Sequence, residues 1–377
     1  MHKVLYKFWT STEYGGFMHA LMHALNKKGI LAEQKFNISE RFYRSAKSPL
    51  ARIWLRICQY IVYPMQLCLD LLFDRFSGNA KYPIVVSTNT FFVPLLATLF
   101  NKKVVHLVYD LFPEAMIHSG KWKEGQFKVQ FFRWLVGLTL KRSKVNVFLG
   151  ERLQLYVESV HGKLPNGIVI PVGADESPFK EFMPKNDKPM QILYCGNFGN
   201  MHDSKTLCEA LKMGIEADLQ LRFHCTGPKR NELETFLKEQ ESDLNGQVVI
   251  GEGLSFQDWV KAMKEAQVAL VTMSEGSEEV VMPSKTYSAM MAGQAILAIA
   301  PEQSDLVDLI KETDCGWWVN PNDVDGLRRV FSIIASESQI LKAKRENAYR
   351  VAHEQFGQES LAKEWAKLFI SLKSDAK

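Results

Sequence analysis

The sequence predicts an α/β protein with two doubly wound domains, because short apolar runs alternate with helical segments along most of the chain. Ile84 to Thr88 and Val104 to Val108 are mostly apolar, as expected of strands buried on both faces. Phe91 to Phe100 lies between them and has the length of a helix, which predicts a β-α-β unit of a parallel sheet. At 377 residues the chain is long enough for two domains with separate cores.

The N-terminal segment repeats this pattern with glycines at the turn. A strand from Lys3 to Trp9 precedes a loop that contains Gly15 and Gly16, and a helix follows that Gly29 ends. Glycines after a strand let a ligand approach the backbone, although such a pair is also common in turns that bind nothing. No cleavable signal peptide is expected, because the chain opens directly with a strand.

Two segments of the first half combine apolar and basic side chains. Residues 44–76 are interrupted by Arg56, Pro64 and Asp70, so they are too broken to span a membrane. We expect an amphipathic helix on a membrane surface or, alternatively, a core helix with a kink at Pro64. Residues 121–144 are apolar in the middle and basic at both ends, and predict a second helix that faces the membrane.

Charge is divided unequally between the two halves. Residues 1–170 hold 23 Lys and Arg against 10 Asp and Glu, whereas the remainder holds 23 against 32. A basic half can bind nucleic acid or an anionic membrane surface. We favour the membrane, because the basic residues flank apolar segments and no nucleic-acid motif is present. The six cysteines form no close pairs, which predicts a reducing compartment.

The loop after Val104 to Val108 begins with Tyr109 and Asp110, at the carboxyl end of a predicted buried strand. Open α/β sheets bind ligands at such ends, so Asp110 is a candidate for contact with a substrate hydroxyl. Its alternative role is to cap the following helix. Val145 to Leu149 predicts the next strand, and Glu151 begins another helix.

The second half opens with a strand that runs into a glycine-rich turn. Residues 190–200 read MQILYCGNFGN, and a helix is expected from about Ser204. Backbone amides of such a turn can approach a diphosphate. Lys205 either adds a positive charge there or faces the solvent. Two later turns carry Gly227 and Gly251.

Residues 282–300, MPSKTYSAMMAGQAILAIA, predict a helix followed by a buried strand. Ser284 is expected to cap the helix and Gly293 to end it, and Ala295 to Ala300 reads as the strand. Lys285 lies in the first turn of this helix, where the dipole favours an anion and a lysine adds a full charge. A phosphate is the natural ligand, and the alternative is a lysine that faces the solvent.

Two patterns that can bind metals favour other roles. His19 and His23 are four residues apart but have no carboxylate motif between them. Asp323 and Asp325 form a DxD pattern at the start of a predicted helix, which favours capping. No metal site is therefore expected.

Several segments together resemble the retaining GT-B glycosyltransferases of family 4, in particular the bacterial branch that builds capsule, exopolysaccharide and O-antigen. The matching segments are PSKTYSAMMAGQAILA at 283–298, DLFPE at 110–114, with phenylalanine for the usual tryptophan, and PNGIVIPVGAD at 165–175. The family usually has two glutamates eight residues apart, and these positions are Val280 and Ser288 here. The second glutamate usually holds the ribose of the nucleotide, so Ser288 leaves the ribose without that contact.

The resemblance implies two Rossmann-like domains that face each other across a cleft. The first would comprise residues 1–170, bind the acceptor, and be joined by a C-terminal helix at 356–377. The second would comprise residues 171–355 and bind the nucleotide sugar.

The resemblance also implies the site residues. On the acceptor side they are Asp110, Glu114 and His118, and those with a catalytic role are Asp110, Lys285 and Lys205, without a metal or other cofactor. The residues implied in donor binding are Gly15, Gly16, Gly196, Asn197, Gly199, Gly227, Gly251, Glu279, Pro283, Ser284 and Lys285.

The function implied is a metal-independent hexosyltransferase. It would move a sugar from a nucleotide diphosphate to a lipid-linked glycan or polysaccharide in bacterial cell-surface polysaccharide synthesis, as a peripheral protein at the cytoplasmic face of the membrane. One alternative is a non-catalytic nucleotide-sugar-binding partner of a transferase, motivated by Val280 and Ser288. Another is a GT-B sugar-nucleotide 2-epimerase, for which Asp110 is the only clear acid or base. A nucleic-acid-binding protein is supported only by the basic first half.

Overall fold

A computed structural model describes residues 5–13, 16–46, 48–79, 82–88, 90–109, 111–182, 188–239, 244, 246–278 and 283–374. The chain divides into two compact units. Unit 1 comprises Met1–Val172 and Gln358–Lys377, and unit 2 comprises Gly173–Gly357. The family resemblance implies a boundary near residue 171.

Unit 1 is a parallel sheet flanked by helices. Its strands are β1 (Leu5–Thr12), β2 (Leu31–Ile38), β3 (Ile84–Ser87), β4 (Val104–Val108), β5 (Val145–Phe148) and β6 (Gly167–Val169), in the order β2-β1-β3-β4-β5-β6. Its helices are α1 (Gly16–Lys27), α2 (Glu40–Ser45), α3 (Pro49–Ile57), α4 (Tyr63–Phe76), α5 (Val93–Phe100), α6 (Glu114–His118), α7 (Phe127–Arg142), α8 (Glu151–His161) and α16 (Gln358–Ser374).

The strand β2 has no counterpart among the strands predicted from the sequence. It pairs with β1 only, at the edge of the sheet, so most of its side chains stay partly exposed. An edge strand needs few apolar residues, and of LAEQKFNI only Ala32 and Ile38 are buried. The apolar pattern that identifies a central strand is therefore absent.

The C-terminal helix α16 completes the core of unit 1. Phe369 stacks on Tyr6 with ring centroids 4.0 Å apart, and Trp365 meets the edge of Phe8 at 5.1 Å. All four aromatic side chains are buried. The helix α16 therefore belongs to the same compact unit and the same core as β1.

The amphipathic segment 44–76 is divided among several helices. The helix α3 buries none of its side chains, a π-helical turn spans Cys58–Val62, and α4 begins at Tyr63. One face of α4 is buried through Leu67 and Leu71, so this half matches the core-helix alternative, whereas α3 lies on the surface. Across the described parts of the chain, every helix is either too short or too polar to cross a membrane.

Unit 2 is a second parallel sheet with helices. Its strands are β7 (Met190–Asn197), β8 (Leu219–Thr226), β9 (Val248–Gly251), β10 (Val268–Thr272), β11 (Ala295–Ile299) and β12 (Gly316–Val319), in the order β12-β11-β10-β7-β8-β9. Its helices are α9 (Lys205–Lys212), α10 (Pro228–Glu239), α11 (Phe256–Glu265), α12 (Lys285–Met291), α13 (Asp305–Thr313), α14 (Val324–Ser336) and α15 (Ser338–Val351). The predicted fold class, α/β with two doubly wound units, is confirmed.

Candidate functional site

The strand order of unit 2 reverses between β7 and β10, which are neighbours in the sheet. Open α/β sheets bind ligands outside the carboxyl ends of the strands at such a point. The strand β7 ends at Asn197 and β10 at Thr272. His202, on the loop that follows β7, contacts the end of β10, because its Nδ1 lies 2.7 Å from the carbonyl oxygen of Thr272.

The turn after β7 depends on glycine. Gly196 has a φ of +118°, which side-chain-bearing residues rarely adopt. Gly227 has a φ of +106°, and a Cβ there would lie 2.6 Å from both Asn197 Oδ1 and the carbonyl oxygen of Phe198. The two turns therefore pack closely against each other, and Gly196 and Asn197 are exposed. At Gly251 a Cβ would meet the ring of His224 at 2.7 Å.

Lys285 points into unit 2. Its Nζ donates a hydrogen bond of 2.6 Å to the hydroxyl of Tyr194 and lies 3.9 Å from the centre of that ring. Burial lowers its pKa from 10.5 to about 7, against a smaller opposing effect of the thiols of Cys225 and Cys195. The alternative of a lysine that faces the solvent is therefore wrong.

Two other basic residues that follow β7, His202 and Lys205, differ from Lys285. Burial, and secondarily Lys285, lower the pKa of His202 to about 4, so this ring is neutral at pH 7. Lys205 is exposed, and its Nζ lies 3.3 Å from Asn322 Oδ1 on the loop before α14. Lys205 thus has the surface position that the sequence left open as its alternative.

A cavity of about 70 Å³ lies beside Lys285, between the sheet and the helices α11 and α12. Ser288, at the position where the family resemblance implies a glutamate, lines it, as do Cys195 and Trp259. Gln294 also lines it and is fully buried, and no described residue donates to its Oε1. The smaller side chain at 288 therefore leaves space with polar atoms around it.

The start of α12 departs from the expectation in one respect. Ser284 occupies the N-cap position, but its side chain caps no backbone amide, so the predicted capping hydrogen bond is wrong. Pro283 is buried beside it, whereas Glu279 and Val280 lie outside the described residues. Gly293 ends the helix as expected, with a φ of +75°.

The predicted residues of unit 1 are only partly described. Gly15 and Asp110 lie outside the described residues, and Gly16 begins α1. Glu114 is 1% exposed, and its Oε1 accepts a 2.7 Å hydrogen bond from Arg133. His118 is the last residue of α6 and is half-buried. The acceptor-side roles of these residues stay predictions.

Sequence reasoning missed Tyr194 and Arg133, the partners of Lys285 and Glu114. Tyr194 looks like an ordinary core residue of a strand, and Arg133 lies in the middle of an apolar helix. An arginine flanked by apolar residues is a signal for a buried ion pair, which could have indicated Arg133. Nothing in the local sequence indicates that Tyr194 contacts Lys285.

The two patterns that could bind metals have other partners. The carboxylate of Asp323 accepts a 2.8 Å hydrogen bond from the backbone amide of Gly326, so its predicted capping role is confirmed. His19 lies 3.6 Å from Glu13. Across the part of the chain that the structure describes, no three side chains of His, Cys, Asp or Glu come together as a metal site.

Comparison with known proteins gives a family match that lies within unit 2. Residues 189–334 match the family model described as Glycosyl transferases group 1. Over 253 residues the chain is 26% identical to the probable glycosyltransferase WbjE of Pseudomonas aeruginosa. That match covers 64% of this chain and 62% of the relative, so it spans less than two thirds of the relative's length.

Solved structures resemble the whole chain. Alr3699/HepE of Anabaena, solved in complex with UDP, has a TM-score of 0.69 at 12% identity, covering 98% of this chain and 100% of that one. Sucrose-phosphate synthase of Thermosynechococcus elongatus has a TM-score of 0.74 at 15% identity, covering 98% and 99%. At these identities the likeness shows a shared fold.

Proposed function

We propose that this chain, whose residues 189–334 match the glycosyl transferases group 1 and whose units have the GT-B fold, is a glycosyltransferase with a nucleotide-diphosphate sugar as donor. The observation that carries the proposal is Lys285, an amine in the interior of unit 2 for which no described carboxylate forms an ion pair. Such a group favours an anionic ligand. The UDP and UDP-glucose complexes of HepE support the same donor class.

The proposed reaction transfers the sugar with retention of its anomeric configuration. The acceptor oxygen bonds to the anomeric carbon on the same face from which the diphosphate oxygen leaves, and the hydroxyl proton passes to the departing diphosphate. The chain contributes charge and donors: Lys285, the amides near Gly196 to Gly199 and, from the surface, Lys205. Asp110 is the proposed contact of the acceptor hydroxyl. No divalent metal takes part, so activity is expected to survive EDTA.

The proposed acceptor is a lipid-linked glycan or polysaccharide of the bacterial cell surface, reached at the cytoplasmic face of the membrane. An exposed apolar stripe along α3, the π-helical turn and α4 supports this. Successive turns of the segment contribute to it, with side chains more than half exposed: Leu50, Ile53, Trp54, Ile61, Met65, Leu69, Phe73 and Phe76. Phe127 and Trp134 of α7 are exposed in the same way.

Charges around this stripe favour an anionic surface. Both carboxylates of α4 are paired within the unit, because Lys7 Nζ lies 2.6 Å from Asp70 and 2.9 Å from Asp74. The arginines Arg52, Arg56 and Arg75 are exposed. A surface of apolar side chains bordered by arginines is typical of helices that lie in the headgroup region of a membrane.

The donor is tested by thermal shift against a panel of nucleotides and nucleotide sugars, followed by turnover with candidate acceptors. A ligand at about 100 times its Kd stabilises the protein by roughly 2.7 kcal/mol. We expect a selective shift, transfer, and a loss of about 30- to 1,000-fold in turnover for Lys285→Ala. Near-normal turnover of that variant would contradict the proposal. Binding of a nucleotide sugar without turnover on any acceptor would indicate a non-catalytic partner of a transferase. Isomerisation of the nucleotide sugar without net release of nucleotide would indicate an epimerase.

Membrane binding is tested by flotation with liposomes of neutral lipid and of neutral plus anionic lipid. We expect flotation only with anionic lipid, and its loss when Leu69 and Phe73 are both changed to serine. Ile370→Ser is the matched control, because Ile370 is 64% exposed on α16, comparable to Leu69 at 65% and Phe73 at 67%. Binding that is indifferent to lipid charge, or a similar loss with the control, would count against this surface.

A further inference from the structure

The contact between Lys285 and Tyr194 has a defined direction. The Tyr194 hydroxyl donates its proton to the carbonyl oxygen of Asn197 at 2.9 Å and accepts from Lys285 Nζ at 2.6 Å. Asn197 is the last residue of β7 and belongs to the glycine turn. Two hydrogen bonds therefore connect the lysine to the backbone of the turn at which a diphosphate is proposed to bind.

The surroundings of Lys285 provide no compensating negative charge among the described residues. The ionisable groups that face it are the Tyr194 hydroxyl, the thiols of Cys195 on β7 and Cys225 on β8, and the neutral ring of His202. Burial raises the pKa of the Tyr194 hydroxyl and of both thiols, so these groups stay protonated at neutral pH. Among the described residues, an ammonium ion at this position has only the oxygen and ring of Tyr194 to stabilise it.

We infer that Tyr194 is a positioning residue, which holds the amino group of Lys285 beside the Gly196 turn so that an arriving phosphate group completes an ion pair and draws a proton onto the amine. This inference rests on the proposed function, because it specifies how the donor site recognises its anion. The proton comes from solvent, and the amine becomes an ammonium ion without any other covalent change. Ligand binding is then coupled to proton uptake above neutral pH.

The physical reason is the balance of charge. A free ammonium ion in this position costs desolvation energy that Tyr194 offsets only in part. A phosphate oxygen within hydrogen-bond distance supplies the missing opposite charge and favours the protonated form. Without the Tyr194 hydroxyl, Nζ loses its only hydrogen-bond acceptor among the described residues and with it a fixed position near the turn.

The experiment is competitive acetylation of the purified full-length protein with acetic anhydride across about pH 5 to 10, read by mass spectrometry, with inorganic pyrophosphate as the anion. Only the unprotonated amine reacts, so the midpoint of labelling reports the charge of each lysine. We expect Lys285 to have a midpoint near pH 7, well below the ordinary lysine value of 10.5, and expect pyrophosphate to raise that midpoint and protect the residue.

Tyr194→Phe removes only the hydroxyl, and its ring can still pack on Phe198. We expect this variant to lower the labelling midpoint of Lys285 and to raise the pyrophosphate concentration for half protection by about tenfold. The matched control is Tyr349→Phe, which loses a hydroxyl bond to the carbonyl oxygen of Lys180 in the same unit. This control variant should leave the labelling midpoint of Lys285 and its protection by pyrophosphate unchanged.

Three outcomes would overturn the inference: a midpoint for Lys285 like that of exposed lysines, no effect of pyrophosphate, or a Tyr194→Phe variant that behaves as the wild type. If that variant fails to fold, the pyrophosphate-induced shift in the wild type still decides whether an anion charges Lys285. Protection by pyrophosphate without transfer of any sugar would remove the proposed function and keep the inference. Sugar transfer by a protein in which Tyr194→Phe leaves the labelling midpoint of Lys285 unchanged would keep the proposed function and remove the inference.

Discussion

At the scale of single residues, Lys285 makes the stability of unit 2 depend on pH. Its pKa is lowered from 10.5 to about 7 in the folded chain, so between these values the unfolded chain binds the proton and the folded chain does not. Stability therefore rises with pH through this window, and the cost of the charged lysine is present at and below about pH 7.

We predict that Lys285→Met raises the free energy of unfolding by on the order of 3 kcal/mol at about pH 6 and that the gain disappears towards pH 10. Urea unfolding at several pH values measures it. Lys205→Met is the control, because it makes the same substitution at an exposed lysine of the same unit. A gain for Lys285→Met that is equal at all pH values would show that packing, and not charge, is responsible.

A second residue-scale prediction concerns the buried carboxylate of Glu114. Arg133 is its ion-pair partner at 2.7 Å, and no described group donates to its Oε2. Arg133→Met should destabilise unit 1 by about 3–5 kcal/mol, because it leaves a buried charge without a partner. Adding Glu114→Gln should recover part of the loss. Arg350→Met, which breaks the exposed pair with Glu354, should cost less than about 1 kcal/mol in urea unfolding.

At the scale of elements, the end of α12 is determined by Gly293. A Cβ there would lie 2.6 Å from the ring of Phe182, and the φ of +75° already disfavours one. The turn after α9 offers a matched position, since Gly214 has a φ of +79° with no atom within 4 Å of a Cβ. An alanine at either position would be strained by the positive φ, but only at Gly293 would its Cβ also collide with a ring.

We predict that Gly214→Ala costs about 1 kcal/mol and that Gly293→Ala costs about 1–3 kcal/mol more, because the ring of Phe182 must move. Thermal melting of the two variants side by side measures the difference. Equal losses of stability in the two variants would mean that the ring of Phe182 moves aside without measurable cost.

Elements also differ in how well sequence reasoning finds them. The central strands β3, β4 and β11 are apolar on both faces, a pattern that identifies them within a residue or two. The edge strand β2 is not found, because pairing on one side leaves its side chains partly exposed. The segment 44–76 divides into helices for a similar reason, since its composition is amphipathic throughout and only packing separates the buried face from the exposed one.

At the scale of the whole molecule, the two units have separate cores and the last helix joins the first. We predict that Phe369→Ala lowers the melting temperature of unit 1 alone, since it costs about 3–5 kcal/mol of core packing against Tyr6 and Phe8. Calorimetry is the measurement that resolves the two transitions, and the nucleotide proposed to bind unit 2 is added to identify the transition of that unit. Ile370→Ala, on the exposed side of α16, is the control. An equal shift of both transitions would show that the units unfold together.

The amino-acid sequence by itself determined the alternation of strands and helices, the helix stop at Gly293 and the capping role of Asp323. These features follow from local periodicity and from backbone preferences that each residue carries in any context. Only the tertiary structure decided that Lys285 points to Tyr194, that Ser284 makes no cap, and that Glu114 pairs with Arg133. Each of these depends on which distant side chains meet, because burial and partners, not residue type, set the charge and direction of a polar group.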